Sequence, residues 1–131
     1  MAIIIEFSFC SHTVTLIKQC GVPLENIIYI GHSLGAHVCG FAGKNIQKIG
    51  LQIKLIIGAD PAMPLFKINK CEEKLCKSDA TFVTILHTSD LGLSDQMGNL
   101  DLYFNGGHIQ PKCGTERLIA SNYYVQKDIA C

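Results

Sequence analysis

Residues 27–35 read IIYIGHSLG and are the most informative stretch of the sequence for the fold. The run Ile27–Ile30 is apolar and mostly β-branched, which predicts a short strand buried on both faces of a parallel sheet. Apolar residues then recur at helical spacing from Leu34 to about Ile49, and Gly50 provides a stop signal. The segment therefore predicts a strand joined directly to a helix. The stripe expected to face the core consists of Val38, Phe41, Ala42, Ile46 and Ile49.

A G-x-S-x-G motif, Gly31–His32–Ser33–Leu34–Gly35, occupies the junction and makes Ser33 a candidate nucleophile. A sharp strand-to-helix turn projects the serine hydroxyl above a sheet. We expect Gly31 and Gly35 to let the strand and the helix pass without a Cβ clash. The Leu34 amide, at the helix N-terminus, would donate to a developing oxyanion. The alternative is that Ser33 only caps the helix, because serine is a preferred N-cap residue.

A second apolar run, Ile53–Ile57, predicts another buried strand, and Asp60 comes soon after it. Enzymes with a serine at such a turn take their acid from the end of a later strand, in the chain order Ser, Asp or Glu, then His. Asp60 is therefore the candidate acid. The alternative is an aspartate that opens a turn before Pro61.

The remaining elements are a helix ending over Val14–Cys20, a third strand over Thr81–Leu86 that reaches His87, and a fourth strand over Leu100–Phe104. The first sixty residues alternate helix, strand, helix, strand. This alternation predicts an α/β fold with a parallel sheet.

The composition limits the classes of function. The chain has 131 residues, of which 48% are hydrophobic and 17% charged, so a packed core is expected and a disordered chain is not. Eleven basic residues balance eleven acidic ones, so no charge bias favours nucleic acid or an anionic membrane. No apolar stretch is long enough to predict a transmembrane segment.

The seven cysteines predict disulfides and an oxidising, extracellular compartment. Because none forms a CxxC pair, a structural zinc site is not expected. We predict no metal and no cofactor. Cys39 lies on the helix after the motif and is expected to be a buried free thiol. A bond between Cys10 and Cys20 is an unsupported alternative.

At this point the sequence resembles the animal lipases of the pancreatic type, and the insect phospholipases A1 more closely. Residues 28–44 are similar to the nucleophile region of that family, and residues 56–62 to the segment with its acidic triad member. Further matches follow in family order: residues 78–80, 87–89, 103, 105–107 and 110–113. The resemblance covers nearly all of the chain from about Val14.

The resemblance implies a partial α/β-hydrolase domain over residues 1–131, without the N-terminal strands of the family. It also implies that Cys113 and Cys131 close a lid loop, with an ordinary surface loop as the alternative, and that Cys71 and Cys76 form a second disulfide. In the family the catalytic histidine comes just after the cysteine that resembles Cys131. The resemblance therefore implies a fragment that ends before its base.

None of the five histidines is expected to replace that base. We predict that His32 packs against the sheet, that His37 is buried and hydrogen-bonded, and that His87 supports the site indirectly. His108 is expected to be exposed, and His12 to precede the first helix.

The resemblance implies a secreted carboxylic ester hydrolase of phospholipase A1 type, acting on lipid at an interface through a serine nucleophile. The chain by itself is expected to be inactive. Two alternatives remain: a triacylglycerol or galactolipid lipase, and a lipase-fold protein that binds lipid without turnover.

Overall fold

A computed structural model of the protein describes residues 2–63, 66 and 70–111, with side chains described from Phe9 onward. The main elements of this part are two α-helices and four strands. In chain order they are α1 (Ala2–Lys18), β1 (Ile28–His32), α2 (Leu34–Lys48), β2 (Leu55–Ala59), β3 (Phe82–His87) and β4 (Leu100–Tyr103). Each predicted strand is confirmed to within about two residues.

The four strands form one parallel sheet in the order β1-β2-β3-β4. One row of aligned residues runs across it through Ile30, Ile57, Thr84 and Leu100. The carboxyl ends of all four strands therefore meet at one edge of the sheet, which confirms the predicted α/β fold.

Helix α2 packs on one face of the sheet through a stripe that agrees with the predicted one only in part, since Ala42 and Ile46 are buried as predicted. Its buried apolar side chains are Ala36, Cys39, Ala42 and Ile46, whereas Val38 and Phe41 are half-buried and Ile49 is exposed. The helix lies very close to its neighbours, because a Cβ atom on Gly43 would lie 2.3 Å from the Asp79 carbonyl oxygen. Only small residues fit at such a contact, so small residues form most of the inner face, together with the buried Ile46.

Helix α1 packs beside α2, and its side chains reach the start of the sheet. The Thr13 hydroxyl lies 2.8 Å from the Tyr29 hydroxyl, and the Phe9 ring meets the Tyr29 ring edge-on at 4.8 Å. The helix extends further upstream than predicted, so His12 lies within it and does not precede it.

The opposite face of the sheet is apolar and open among the described residues. Ile28, Ile30 and Phe82 point to this face, and Ile30 is 68% exposed. The prediction that β1 is buried on both faces is therefore wrong for this part of the chain, because the helices described cover one face only.

The cysteines with described surroundings divide into bonded and free. Cys71 and Cys76 form a disulfide, as predicted, and Cys39 is a buried free thiol. Cys10 and Cys20 are not bonded to each other. The predicted lid disulfide, Cys113–Cys131, lies outside the described residues. Within those residues no helix combines the length and the apolar character needed to cross a membrane.

Candidate active site

Ser33 lies between β1 and α2 in a strained backbone conformation. Its φ and ψ angles are 55° and −121°, a region that residues with a side chain rarely adopt. Ser33 has the N-cap position of α2, but its side chain makes no capping hydrogen bond. The structure therefore does not support the alternative that Ser33 only caps the helix. The half-buried side chain of Ser33 stands where the sharp turn was predicted.

The two motif glycines have different surroundings. A Cβ atom on Gly31 would lie 2.2 Å from the Gly35 carbonyl oxygen and 2.7 Å from the Ala36 nitrogen. Apart from its chain neighbours and the backbone of its own helix, a Cβ atom on Gly35 would meet no described atom within 4 Å. The prediction of a close passage is confirmed for Gly31, but in this part of the chain it is wrong for Gly35. At the same turn, Leu34 begins α2 with an exposed side chain.

Asp60 follows β2 directly and is held by the end of β3. Its Oδ1 atom accepts hydrogen bonds from the backbone N–H groups of Thr88 and Ser89, both at 3.0 Å. Its Oδ2 atom accepts a 2.5 Å hydrogen bond from the Ser89 hydroxyl. Asp60 has a positive φ of 46° and is 9% exposed. The carboxylate therefore bonds across to a neighbouring strand end, which favours a built site over the simple turn before Pro61.

Backbone hydrogen bonds join the Ser33 turn to the Asp60 turn. The Ser33 N–H donates to the Ala59 carbonyl at 2.9 Å, and the Ala62 N–H donates to the Ser33 carbonyl at 3.3 Å. Ala59 and Ala62 lie on either side of Asp60 in the chain. Because β1 and β2 are adjacent and parallel, the sheet brings the two predicted residues to neighbouring strand ends.

Sequence reasoning missed two residues that lie against the Asp60 carboxylate. Ser89 supplies two of its three hydrogen bonds, and a Cβ atom on Gly92 would lie 2.5 Å from the Asp60 Oδ1 atom. The available signal was the position of Ser89 just after β3, since strand ends of a parallel sheet share an edge. No local pattern pointed to Gly92.

His37 is buried, as predicted, and its two ring nitrogens have opposite roles. The Leu75 N–H donates to Nδ1 at 3.1 Å, so Nδ1 carries no hydrogen. Nε2 then carries the hydrogen and donates to the Ala62 carbonyl at 3.0 Å. Burial lowers the pKa of His37, and the charges of Lys74 and Lys44 act in the same direction. His37 is therefore a neutral ring without a nitrogen free to act as base.

His87 is 2% exposed and lies between two acceptors. Its Nδ1 is 2.7 Å from the Leu93 carbonyl oxygen, and its Nε2 is 2.8 Å from Asp101 Oδ1. The ring stacks on Tyr103 at 4.1 Å. His87 is therefore not placed to accept a proton from Ser33, but it anchors the end of β3 from which the partners of Asp60 extend.

The other histidines lie on the surface. His32 is exposed among the described residues, so the prediction that it packs against the sheet is wrong. His108 is exposed, as predicted, with its Nδ1 2.6 Å from Asp90 Oδ1. His12 is exposed on α1.

A cavity of about 220 Å³ adjoins the acid side of the site. Its lining includes Ser89 and Gly92, both in contact with Asp60, together with His87 and Tyr103. Across the residues that the structure describes, no three or more His, Cys, Asp or Glu side chains are grouped to hold a metal ion.

Comparisons with known protein sequences identify one family. The family described as Lipase matches residues 8–129. A phospholipase A1 of Dinoponera quadriceps is 54% identical over 94 residues, which are 71% of this chain and 25% of that protein. A phospholipase A1 of Vespa crabro is 50% identical over 104 residues, which are 78% of this chain and 35% of that protein. A third, of Solenopsis invicta, is 48% identical over 104 residues, or 78% of this chain and 30% of that protein.

The chain thus spans about a quarter to a third of the length of these relatives. The family match, by contrast, extends over nearly the whole chain. The resemblance seen in the motifs is confirmed, and the protein belongs to the lipase family.

Proposed function

We propose that residues 1–131 form part of one lipase domain, and that they carry the nucleophile and the acid of a serine esterase that releases a fatty acid from phospholipids. One observation supports this most directly. The strained Ser33 turn is hydrogen-bonded to the turn of Asp60, whose carboxylate is oriented by the backbone and hydroxyl of Ser89. A strained backbone at the nucleophile and an acid held in a fixed orientation are both typical of sites for acyl transfer.

The proposed reaction proceeds by acyl transfer. The Ser33 Oγ attacks the ester carbonyl while its proton passes to the catalytic histidine that the resemblance implies. The Leu34 N–H donates to the oxyanion, and Asp60 orients the histidine and stabilises its positive charge. The lysophospholipid leaves with the proton from the histidine. Water then attacks the acyl-serine and gives a proton to the same histidine. The bond to the Ser33 Oγ breaks, the histidine returns the proton to that oxygen, and the fatty acid is released.

The substrate class and the compartment rest on separate support. Three relatives at about 50% identity bear the name phospholipase A1, which favours a phospholipid ester over triacylglycerol. The Cys71–Cys76 disulfide and the cysteine content favour a secreted protein. We propose action at a lipid interface, as the substrate class requires.

The test uses the full translation product of the transcript that encodes this chain. It is treated with a fluorophosphonate probe and, separately, with phosphatidylcholine labelled on the sn-1 acyl chain. Ser33→Ala should abolish covalent labelling and fatty-acid release, whereas Ser11→Ala, an exposed serine on α1, should change neither. Labelling that survives in Ser33→Ala would contradict the assignment.

Two other outcomes separate the alternatives. Release of fatty acid from trioleoylglycerol or a galactolipid, but not from phosphatidylcholine, would keep the nucleophile and replace the substrate. Binding of lipid vesicles without labelling or turnover would instead identify a lipid-binding protein with a lipase fold.

A further inference from the structure

A chain of hydrogen bonds connects the disulfide loop, residues 71–76, to the backbone of Ser33 through His37. The Leu75 N–H donates to His37 Nδ1, and His37 Nε2 donates to the Ala62 carbonyl. The N–H group of the same Ala62 donates to the Ser33 carbonyl. Among the described residues, His37 is thus the one side chain in this series of hydrogen bonds between a covalently closed loop and the turn that contains Ser33.

The loop end of this chain is rigidly held on both sides of Leu75. The preceding carbonyl, of Lys74, accepts a 2.8 Å hydrogen bond from Lys44 on α2. The following residue, Cys76, is bonded to Cys71, and its N–H donates to the buried carboxylate of Asp79 at 2.8 Å. Lys44 also pairs with that carboxylate at 2.6 Å.

His37 itself has little freedom to move. It is 1% exposed, and its ring stacks on Phe66 with 3.8 Å between the ring centroids. A neutral imidazole has one donor and one acceptor on opposite sides of the ring, so it can satisfy Leu75 and Ala62 together. An imidazolium could not accept from the Leu75 N–H, and an aliphatic side chain could bond neither group.

We propose that His37 is a positioning residue for the reaction at Ser33: it transmits the fixed position of the disulfide loop to the Ala62 turn, and through it to the backbone of Ser33 and the neighbouring Asp60. This inference rests on the proposed function. Its consequence is that the donor side of His37, toward Ala62, governs the rate of acyl transfer, whereas the acceptor side, toward Leu75, governs mainly the anchoring of the loop.

Two substitutions separate the two sides of the ring. In His37→Asn the Oδ1 atom falls near the position of Nδ1, so the bond from Leu75 is kept and the bond to Ala62 is lost. In His37→Gln the Nε2 atom falls near the imidazole Nε2, so the bond to Ala62 is kept and the bond from Leu75 is lost. His12→Gln, on the exposed side of α1, is the control.

The variants are compared in the full translation product by their KM and maximal rate on phosphatidylcholine. The maximal rate is divided by the concentration of sites that the fluorophosphonate labels, which gives kcat per labelled site. This correction removes the unfolded fraction. We expect His37→Asn to lower kcat per labelled site by about tenfold with KM nearly unchanged. We expect His37→Gln to keep kcat within about threefold while lowering the unfolding temperature.

The opposite pattern would overturn the inference. If both variants lose thermal stability while kcat per labelled site stays at the level of the unaltered protein, His37 is a structural residue only. Equal losses of kcat in both would also contradict the separate role of the Ala62 side.

A failure of the proposed function is distinguishable from these results. If the unaltered protein reacts with the probe but does not hydrolyse phosphatidylcholine, the substrate assignment fails, and the rate of labelling replaces kcat as the test of His37. If the unaltered protein does not react with the probe at all, both proposals fall.

Discussion

Replacing Gly31 with alanine adds one methyl group at the tightest contact between β1 and α2. The added carbon would lie 2.2 Å from the Gly35 carbonyl oxygen, 2.4 Å from the Gly35 carbonyl carbon and 2.7 Å from the Ala36 nitrogen. All three neighbours are backbone atoms of the first turn of α2, so no side chain can rotate away. The helix start has to shift by more than about 1 Å to restore an ordinary contact.

The cost of this shift has two parts. Overpacking in a well-packed interior costs about 1–3 kcal/mol of folding free energy, and rigid backbone neighbours place Gly31→Ala at the upper end, about 3 kcal/mol. Displacing the turn also moves Ser33 and the Leu34 amide away from their productive positions. A misplacement of about 1 Å lowers a reaction rate by about a hundredfold.

Gly35→Ala is the matched control, because in the described part of the chain the added carbon meets nothing within 4 Å beyond its chain neighbours and its own helix backbone. Gly35 lies in the first turn of α2, where alanine is favoured over glycine by about 0.5–1 kcal/mol. We expect Gly35→Ala to be neutral or slightly stabilising.

Both variants of the full translation product are measured by urea unfolding and by the rate of fluorophosphonate labelling. We expect the free energies of unfolding to differ by about 3.5–4 kcal/mol, as the sum of the two effects. Labelling of Gly31→Ala at the rate of the unaltered protein would refute the close approach of strand and helix. Equal damage in both variants would mean that the glycines share one role, as the motif alone suggested.

Three further predictions follow from individual contacts. Ser89→Ala removes the hydroxyl donor to Asp60 Oδ2 and should lower kcat by about tenfold, with partial recovery in Ser89→Thr; an unchanged kcat would show that the backbone donors suffice. Burial raises the pKa of the Cys39 thiol to about 11, so about one thousandth of it is ionised at pH 8, and mass spectrometry should find iodoacetamide on the exposed Cys20 long before it reaches Cys39. The 131-residue chain by itself should associate through the open apolar face of its sheet, and Ile30→Lys should reduce the associated fraction in light scattering; a monomeric chain with cooperative unfolding would contradict this.

Much of the site could be predicted from sequence because its geometry is local. An apolar β-branched run, a G-x-S-x-G motif and a helical pattern succeed each other without a gap, and together they specify the strained turn at Ser33. The position of Asp60 follows from the same logic, since it comes soon after an apolar run and strand ends of a parallel sheet meet at one edge.

The inner face of α2 could not be predicted in the same way. Hydrophobic periodicity gives weight to Val38 and Phe41, which turn out to be half-buried, and none to Gly40 and Gly43, which lie in close contact with neighbouring segments. How closely a helix approaches its neighbours depends on the backbone of another segment, and no property of the helix sequence reports that distance.

The α/β order of elements, the turn at Ser33 and the candidate acid followed from the residues alone, and the family resemblance added the cysteines of the disulfide loop. Only the tertiary structure decided what holds them in place. Ser89 bonds Asp60 across 29 residues of chain, and His37 joins partners 25 and 38 residues away. The physical reason is that a local pattern sets the conformation of its own segment, whereas the pairing of distant polar groups is set by packing, which removes water from both partners and leaves each only the other to bond.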